Sequence, residues 1–487
     1  MRIVQISPEA VPYAKTGGLA DVAGALSAYL ARNGHAVTLF LPFYRMIREA
    51  GFEPGPVELE LGPAELGLPA EASIRSLPSG SRLSVRMIDA PELFDRDGLY
   101  GVGGSDHPDN LLRFAVFCRA SLCAVEESPD ILHVHDWQSA LAAVLLRAGP
   151  PPGAAAIREH QPASVLTLHN LAYQGRFAEE AWPETGLPDD WYRPDRLEYY
   201  GGINLLKGGL VTADRVTTVS PGYAEEISTP EFGFGLEGNI QGLTHPVEGI
   251  LNGIDTAAWN PADDAFLDIR YDVRDLSGKA AAKRELQRGF GLPESPGVPL
   301  FGLVSRLVDQ KGIPLIEALE HRLGAWPAQF VFLGNGEPRY EQLIEQLDRD
   351  NPNVGSRVAF SEPLAHLVEA GSDFFLMPSA FEPCGLNQMI SQRYGTIPIV
   401  HRVGGLADSV IAITSETLAD ESATGIVFEL FHPDALSGAI LDALDLYTRA
   451  ETMESLIRAG METDFSWQAS GRKYEELYER MLEDTSE

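Results

Sequence analysis

The sequence predicts an α/β protein made of two doubly wound domains. Short apolar runs alternate with helical stretches from residue 2 onward, and the alternation starts afresh near residue 299. Polar and glycine-rich loops follow the apolar runs. Those loops fall at the carboxyl ends of the expected strands, where open parallel sheets bind ligands. A chain of 487 residues exceeds what a single hydrophobic core organises, so two domains are expected.

Residues 2–7 read as the first strand. Leu19, Val22, Leu26, Tyr29 and Leu30 then form one helical stripe, which Gly34 ends, and 37–41 is the second strand. Lys15-Thr16-Gly17-Gly18 lies at the start of that helix. Glycines there let a backbone approach a phosphate closely and a lysine supplies a point charge, although a surface lysine in a loop is the plainer alternative. Residues 51–110 are rich in Gly and Pro, with alternating pieces such as LSVRMID (83–89), and read as an irregular β excursion. A helix is expected over 111–127, with Cys118 and Cys123 as packing residues. The strand 130–134 ends in His135-Asp136-Trp137, and the strand 164–168 ends in His169-Asn170-Leu171-Ala172-Tyr173-Gln174-Gly175. Polar clusters at two successive strand ends fit the binding edge of a doubly wound sheet. Residues 176–204 are aromatic and loop-like. A helix begins at 205–210, a strand covers 215–219, and another covers 248–251 before Asn252-Gly253-Ile254-Asp255. NPADDAFLDIRYDV then reads as an extended linker, which places the domain boundary near 255–262.

The second series opens with a helix over 279–290 and a strand over 299–304. Ser305-Arg306-Leu307-Val308-Asp309-Gln310-Lys311-Gly312 follows, where Arg306 can fork onto a diphosphate and Lys311 adds charge. A salt bridge to a surface acid is the alternative for either. Strands are expected over 330–333, 358–360, 374–377 and 396–400. Residues 386–393 form a helix closed by Gly395, and Gly404-Gly405 opens the next. Glu382 is the odd residue in this stretch. A carboxylate beside a phosphate site repels the ligand unless it accepts hydrogen bonds from sugar hydroxyls or faces positive charge developing on a sugar ring. Helices fill 434–460. A final helix of about four turns covers 468–483, beyond the second domain's last strand and able to pack back. The expected domains are 1–255, 256–463 and a C-terminal crossover helix in 464–487.

Composition narrows the function. A formal net charge of −33 disfavours a nucleic-acid or anionic-membrane partner, and makes an anionic substrate awkward unless positive charge is focused locally. Lysine occurs only at 15, 207, 279, 283, 311 and 473, so lysines in glycine-rich loops stand out. The cysteines at 118, 123 and 384 lack metal spacing, which argues against a disulfide framework or zinc site. No signal-like segment or membrane-length apolar run is read, so the cytoplasm is the simplest compartment.

With both the Lys-Thr-Gly-Gly loop and the FEPCGLNQ loop in view, the chain resembles the bacterial glycogen synthase and starch synthase family. The motifs are KTGGLADV (15–22), HVHDW (133–137), LHNLAYQG (168–175), LNGID (251–255), SRLVDQKG (305–312), FEPCGLNQ (381–388) and RYGTIPIV (393–400). Each alone is weak; together, in order and over almost the whole chain, they are specific.

The resemblance implies a GT-B type fold, two Rossmann-like domains facing a cleft, with the C-terminal helix crossing back to the first. It implies retaining transfer of glucose from a nucleotide sugar, usually ADP-glucose, to the non-reducing end of an α-1,4-glucan such as glycogen. It carries over catalytic roles to Glu382, His169, Arg306, Lys311 and Asp136. Lys15 looks like the residue reaching the nucleotide-sugar phosphates. Gly17, Gly18, Asp21, Asn170, Asn252, Cys384, Gly385, Leu386, Gly404 and Gly405 correspond to substrate-binding positions. No cofactor or metal is implied, since Arg306 and Lys311 supply the positive charge that stabilises the leaving nucleotide. Closure about residues 255–262 and the C-terminal helix would gate the reaction.

Three positions depart from the family pattern. Ala380 stands where an Arg is usual, Val403 where a Thr precedes Gly404-Gly405, and Leu367 where an Arg is common. They leave room for two other readings, a related transferase with another donor or a small acceptor, and a catalytically silent glucan-binding paralogue. An oxidoreductase is disfavoured, because no G-x-G-x-x-G follows a strand with a suitably placed acid.

Overall fold

The computed structural model describes residues 1–78 and 80–484. The chain divides into two compact units, one from Met1 to Ile250 joined by the segment from Trp467 on, the other from Leu251 to Ser466.

The first unit is built on a sheet of nine strands. In chain order its elements are β1 (Arg2–Ile6), α1 (Gly18–Arg32), β2 (Ala36–Pro42), β3 (Leu59–Leu61), β4 (Ala72–Leu77), β5 (Leu83–Asp89), α2 (Asn110–Cys123), β6 (Ile131–His135), α3 (Asp136–Ala148), β7 (Ala163–Leu168), α4 (Leu205–Thr212), β8 (Arg215–Thr218) and β9 (Glu248–Gly249). The spatial order is β9-β8-β7-β6-β1-β2-β5-β4-β3. Pairing is parallel from β9 to β5, and β4 runs antiparallel to both neighbours. β6 and β7 are buried along their whole length, so ILHVH and ASVLTL carry no alternation. The excursion expected over 51–110 is therefore partly regular. LSVRMID is β5, a strand inside the main sheet between β2 and β4, with Arg86 able to stay polar because its end is only half-buried. Residues 176–204, expected as loop, include a small three-stranded antiparallel sheet.

The second unit runs α5 (Ser277–Gly289), β10 (Leu300–Val304), β11 (Gln329–Gly334), α6 (Pro338–Asp350), β12 (Val354–Val358), α7 (Glu362–Gly371), β13 (Phe374–Met377), α8 (Asn387–Arg393), β14 (Ile397–His401), α9 (Gly404–Ser409), β15 (Ile426–Phe428), α10 (Pro433–Tyr447) and α11 (Ala450–Glu462). Its six strands are all parallel, in the order β12-β11-β10-β13-β14-β15. The strand expected at 358–360 ends where that expectation begins. Phe301 stacks on Phe330 and on Phe374, each at 5.1 Å between ring centroids, at the centre of this sheet. Asp373 enters the core with its charge matched by Lys283 Nζ at 2.6 Å and by the Leu300 N–H at 2.8 Å.

The stretch read as an extended linker is packed into the second unit. Asp264 accepts hydrogen bonds from Tyr394 Oη at 2.5 Å and faces His366 Nδ1 at 2.8 Å, with Trp259 stacked flat on His366. Tyr271 Oη donates to the Tyr394 carbonyl at 2.8 Å. Asp264 in that stretch is buried through its pairing with Tyr394 and His366. The expected boundary at 255/256 thus falls inside this unit.

The last helix, α12 (Trp467–Asp484), belongs to the first unit. Its Trp467, Tyr474, Leu477, Tyr478 and Met481 share one core with Ile3, Val22, Leu26 and Tyr29. Burying Leu477 and Met481 contributes about 1.5–3 kcal/mol each. Tyr29 Oη donates to Glu475 at 2.6 Å, and His35 Nε2 lies 2.8 Å from the same carboxylate. No helix among the described residues is long and apolar enough to cross a membrane.

Gly471 lets α12 lie directly on the Tyr29 ring, because a Cβ there would come within 2.3 Å of Cδ1. Gly471→Ala is expected to destabilise the first unit by about 1–3 kcal/mol, measured by urea unfolding. An unchanged midpoint would show that the helix is not packed this closely.

Candidate active site

In the first unit the site grows from three neighbouring strand ends. The chain leaves β1 and reaches Glu9, which is buried. Its carboxylate accepts from the Thr16 N–H, from Thr16 Oγ1 at 2.6 Å, from Tyr100 Oη at 2.5 Å and from the Gly17 N–H. Burial pushes the Glu9 carboxyl up, and these donors pull it back. Glu9 therefore shapes the Lys-Thr-Gly-Gly loop. Sequence reasoning missed it; the available signal was a lone carboxylate between a strand end and a helix start. Lys15 Nζ lies 2.8 Å from Asp21, which sits in the first turn of α1, and the pair is partly exposed. Its chain neighbours aside, no atom among the described residues comes within 4 Å of a Cβ built on Gly17, so the loop presents bare backbone there.

At the ends of β6 and β7, Asp136 and His169 are joined. Asp136 has φ +55°, a left-handed conformation that Asp tolerates better than most residues and that marks strain at working sites. Its Oδ1 accepts the His169 N–H at 2.7 Å, and it also accepts the Asn170 N–H. Burial pushes the Asp136 carboxyl up to about 7 despite those two donors. The His169 imidazole is held well below its ordinary value by burial first and by His135 second. Asn170 Oδ1 accepts the Ala172 N–H at 3.1 Å, and the rest of the loop is anchored by Leu171 N–H to Tyr223 Oη at 3.0 Å and by Asn204 to Gln174 at 2.7 Å.

In the second unit the loops after β10, β13 and β14 are tied together. Glu382 is buried, with Lys311 Nζ at 2.5 Å and Ser379 Oγ donating at 3.0 Å. Its carbonyl accepts the Gly405 N–H at 3.1 Å, and a Cβ at Gly405 would come within 2.2 Å of the Cys384 carbonyl, so only glycine fits there. The Cys384 thiol, pushed up to about 12 by burial, is hydrogen-bonded by the backbone and side chain of Asn252. Gly385 (φ +70°) and half-buried Leu386 lead into α8, where Gln388 Nε2 donates to the Cys384 carbonyl at 2.9 Å. The Ala380 N–H donates to the Gln310 carbonyl at 2.9 Å, which fastens the SRLVDQKG loop to the FEPCGLNQ loop. Gly404 (φ +40°) is the first residue of α9.

Most of the expected residues thus contact one another within their own unit. Arg306 does not: it is exposed, and its side chain makes no hydrogen bond or ion pair among the described residues. Of the departures, Leu367 and Val403 are buried and Ala380 half-buried; Val403 caps α9 without a side-chain oxygen.

Two Rossmann-type units with such loops at the carboxyl ends of their parallel strands define a glycosyltransferase of the GT-B fold. The starch synthase catalytic domain family matches residues 2–242, and the glycosyl transferases group 1 family matches residues 287–463. The chain is 48% identical to a glycogen synthase of Myxococcus xanthus over 99% of this chain and 100% of that one. It is 44% identical to glycogen synthase 2 of Geobacter sulfurreducens, over 100% and 99%. Among solved structures, the catalytic domain of starch synthase IV from Arabidopsis thaliana, bound to ADP and acarbose, superposes with a TM-score of 0.89 at 34% identity, covering 99% of both chains. The chain belongs to the bacterial glycogen synthase and starch synthase family.

The elevated Asp136 carboxyl has a stability consequence. From its ordinary value of 3.8 up to about 7, the folded chain keeps a proton that the unfolded chain has released. The contribution of this group is therefore full below 3.8 and lost as pH rises through about 7. Asn can still accept the His169 N–H but cannot ionise. Asp136→Asn is expected to gain stability relative to the parent as pH rises across that window, read by urea unfolding at several pH values; parallel pH curves would contradict it.

Proposed function

We propose that this chain transfers glucose from ADP-glucose to the non-reducing end of an α-1,4-glucan, with retention of configuration. The observation that carries the reading is the Lys311–Glu382 pair, a cation and a buried carboxylate 2.5 Å apart at adjacent strand ends of the second unit. Breaking a glycosyl–phosphate bond leaves negative charge on the nucleotide and positive character on the sugar. A preorganised cation on one side and a carboxylate on the other suit both. Lys311 and Arg306 would clamp the diphosphate, and Lys15 corresponds to a phosphate-binding position of the family. Glu382 would face the sugar, His169 would lie beside the transferred glucose, and Asp136 would act on the acceptor side. Cys384, Gly385 and Leu386 would line the sugar pocket. Retention follows from same-face attack, with the departing phosphate helping to take the proton of the acceptor hydroxyl. No metal or cofactor is called for in this scheme, because side-chain cations carry the charge. The ADP and acarbose bound by the Arabidopsis relative support a nucleotide donor and a glucan acceptor. The cytoplasm is the compartment this reading assumes.

Nucleotide release from ADP-glucose and from UDP-glucose, each with and without glycogen, tests it. Glycogen-dependent ADP release is expected, falling by at least about 100-fold in Glu382→Ala with the fold retained by circular dichroism. No glycogen-dependent release from either donor would overturn the reading. The Ala380 backbone is bonded to the loop that bears Lys311. Restoring a cation with Ala380→Arg is therefore expected to lower the donor KM by up to about fivefold, the scale of one exposed ion pair, and an unchanged or higher KM would count against a donor site there.

A further inference from the structure

Three buried side chains from neighbouring strands form a chain of hydrogen bonds across the first sheet. Gln5 lies in β1, His135 ends β6, and His169 follows β7. Gln5 Oε1 is 3.2 Å from His135 Nε2, and His135 Nδ1 is 3.0 Å from His169 Nε2. Gln5 and His135 have no solvent exposure, and His169 has 8%.

We propose that Gln5 and His135 fix the tautomer of His169, so that His169 presents Nδ1 as a hydrogen-bond acceptor to the transferred sugar. The proposal rests on the glucosyl-transfer reading for the identity of that sugar. A neutral imidazole has one N–H and one lone pair. An amide oxygen can only accept, so His135 Nε2 must carry the proton. His135 Nδ1 then holds the lone pair and accepts from His169 Nε2–H. The proton on His169 is thereby committed to Nε2, and Nδ1, which has no partner among the described residues, is left with its lone pair. The amide of Gln5 is the element that sets the direction; turned over, it would reverse every bond in the chain.

Two further observations support this. Burial pushes His135 down to about 3 and His169 well below its ordinary value, so both rings stay neutral and each has one proton to place. Gln5 Nε2 is buried and has no partner among the described residues. An apolar residue would fill that position without an orphaned group. A glutamine with one end unsatisfied is explained if its other end has a task. The neighbouring His133 stays outside the chain, since its nitrogens are taken by Tyr478 Oη at 2.8 Å and Thr167 Oγ1 at 2.6 Å. His135 is accordingly a positioning residue, acting through His169.

The test is long-range proton–nitrogen spectroscopy on 15N-histidine-labelled full chain, with the His169 signals identified by their loss in His169→Gln. The parent is expected to show a protonated Nε2 and a lone pair on Nδ1. In His135→Phe the Nδ1-protonated form should appear, with kcat down about tenfold or more, the scale of one lost or inverted hydrogen bond, and KM for donor and glycogen changed less than about twofold. His135→Asn, whose amide oxygen can occupy the place of Nδ1, should restore the parent tautomer and most of kcat. If His135→Phe does not fold, Gln5→Met asks the same of the far end of the chain and should also release the fixed tautomer. A parent His169 protonated on Nδ1, an unchanged spectrum in both variants, or equal losses in His135→Phe and His135→Asn would overturn the proposal. The spectra need no turnover. A parent that fails to transfer glucose would sink the functional reading alone, and the tautomer would still decide this one.

Discussion

A parallel strand buried on both faces must hand its backbone to a helix at its carboxyl end, and that constraint organises both units. Each hand-over leaves backbone N–H groups at a helix start without intrahelical partners. The chain satisfies some of them with its own carboxylates. Glu9 takes the N–H groups of Thr16 and Gly17 ahead of α1, and Asp136, the first residue of α3, takes those of His169 and Asn170 in the loop after β7. Because several strands end side by side, the carboxylates that serve the backbone also come to lie where a ligand would. In the second unit the hand-overs are bound to each other: the Glu382 carbonyl holds the Gly405 N–H, and the Gln310 carbonyl holds the Ala380 N–H. Moving one loop therefore moves its neighbour.

Such an edge is electrostatically costly to build. Glu9 and Asp136 are both buried and both raised by desolvation, and the Glu9 charge adds to the rise at Asp136. Among the described residues neither has an ion-pair partner, and backbone and hydroxyl donors hold them. Glu382 differs, since Lys311 and Ser379 stand against it. The first unit thus keeps two carboxyl groups raised by burial, Asp136 to about 7, and the second keeps a carboxylate paired with a cation. A substrate whose diphosphate drew Lys311 away would leave Glu382 free to face a sugar that is becoming positive. In a chain with so large a negative charge, an anion is welcome only where cations are concentrated, and the loop after β10 carries two, Arg306 and Lys311.

Much of this was legible in the sequence because parallel strands are continuous apolar runs and their ends are marked by Gly, Pro and polar residues. Both sheets, the loops bearing Lys15, Asp136, His169, Lys311 and Glu382, and the returning C-terminal helix can be read that way. What escaped was set by contacts distant in sequence. The alternation of LSVRMID reads as β, but its place inside the main sheet, between β2 and β4, is set by neighbours distant in sequence. The stretch around Asp264 reads as an extended linker until His366 and Tyr394 are brought to it. Glu9 lies beside Thr16, but its partner Tyr100 is far along the chain, in a stretch that reads as irregular. Gln5 reads as one polar residue in a short strand.

Gln5 also separates packing from function in the first unit. The core between β1 and α12 needs Ile3 and Val37, and it would accept an apolar residue wherever a side chain has nothing to bond. Gln5, His133, His135 and Thr167 instead form a polar layer within the sheet, all of it without solvent exposure. His133 is fully used by that layer, with Tyr478 of the last helix on one nitrogen and Thr167 on the other. His135 is not used up in this way, because one of its bonds leads out to His169. Two adjacent histidines on one strand thus do different things: one fastens α12 to the sheet, and the other reaches the strand end where chemistry is expected. Their rings lie 4.3 Å apart; a proton on His133 would be opposed by burial and then by His135, and one on His135 by burial. The layer is therefore a set of neutral, directional hydrogen bonds, which is what holding a single tautomer at its edge requires.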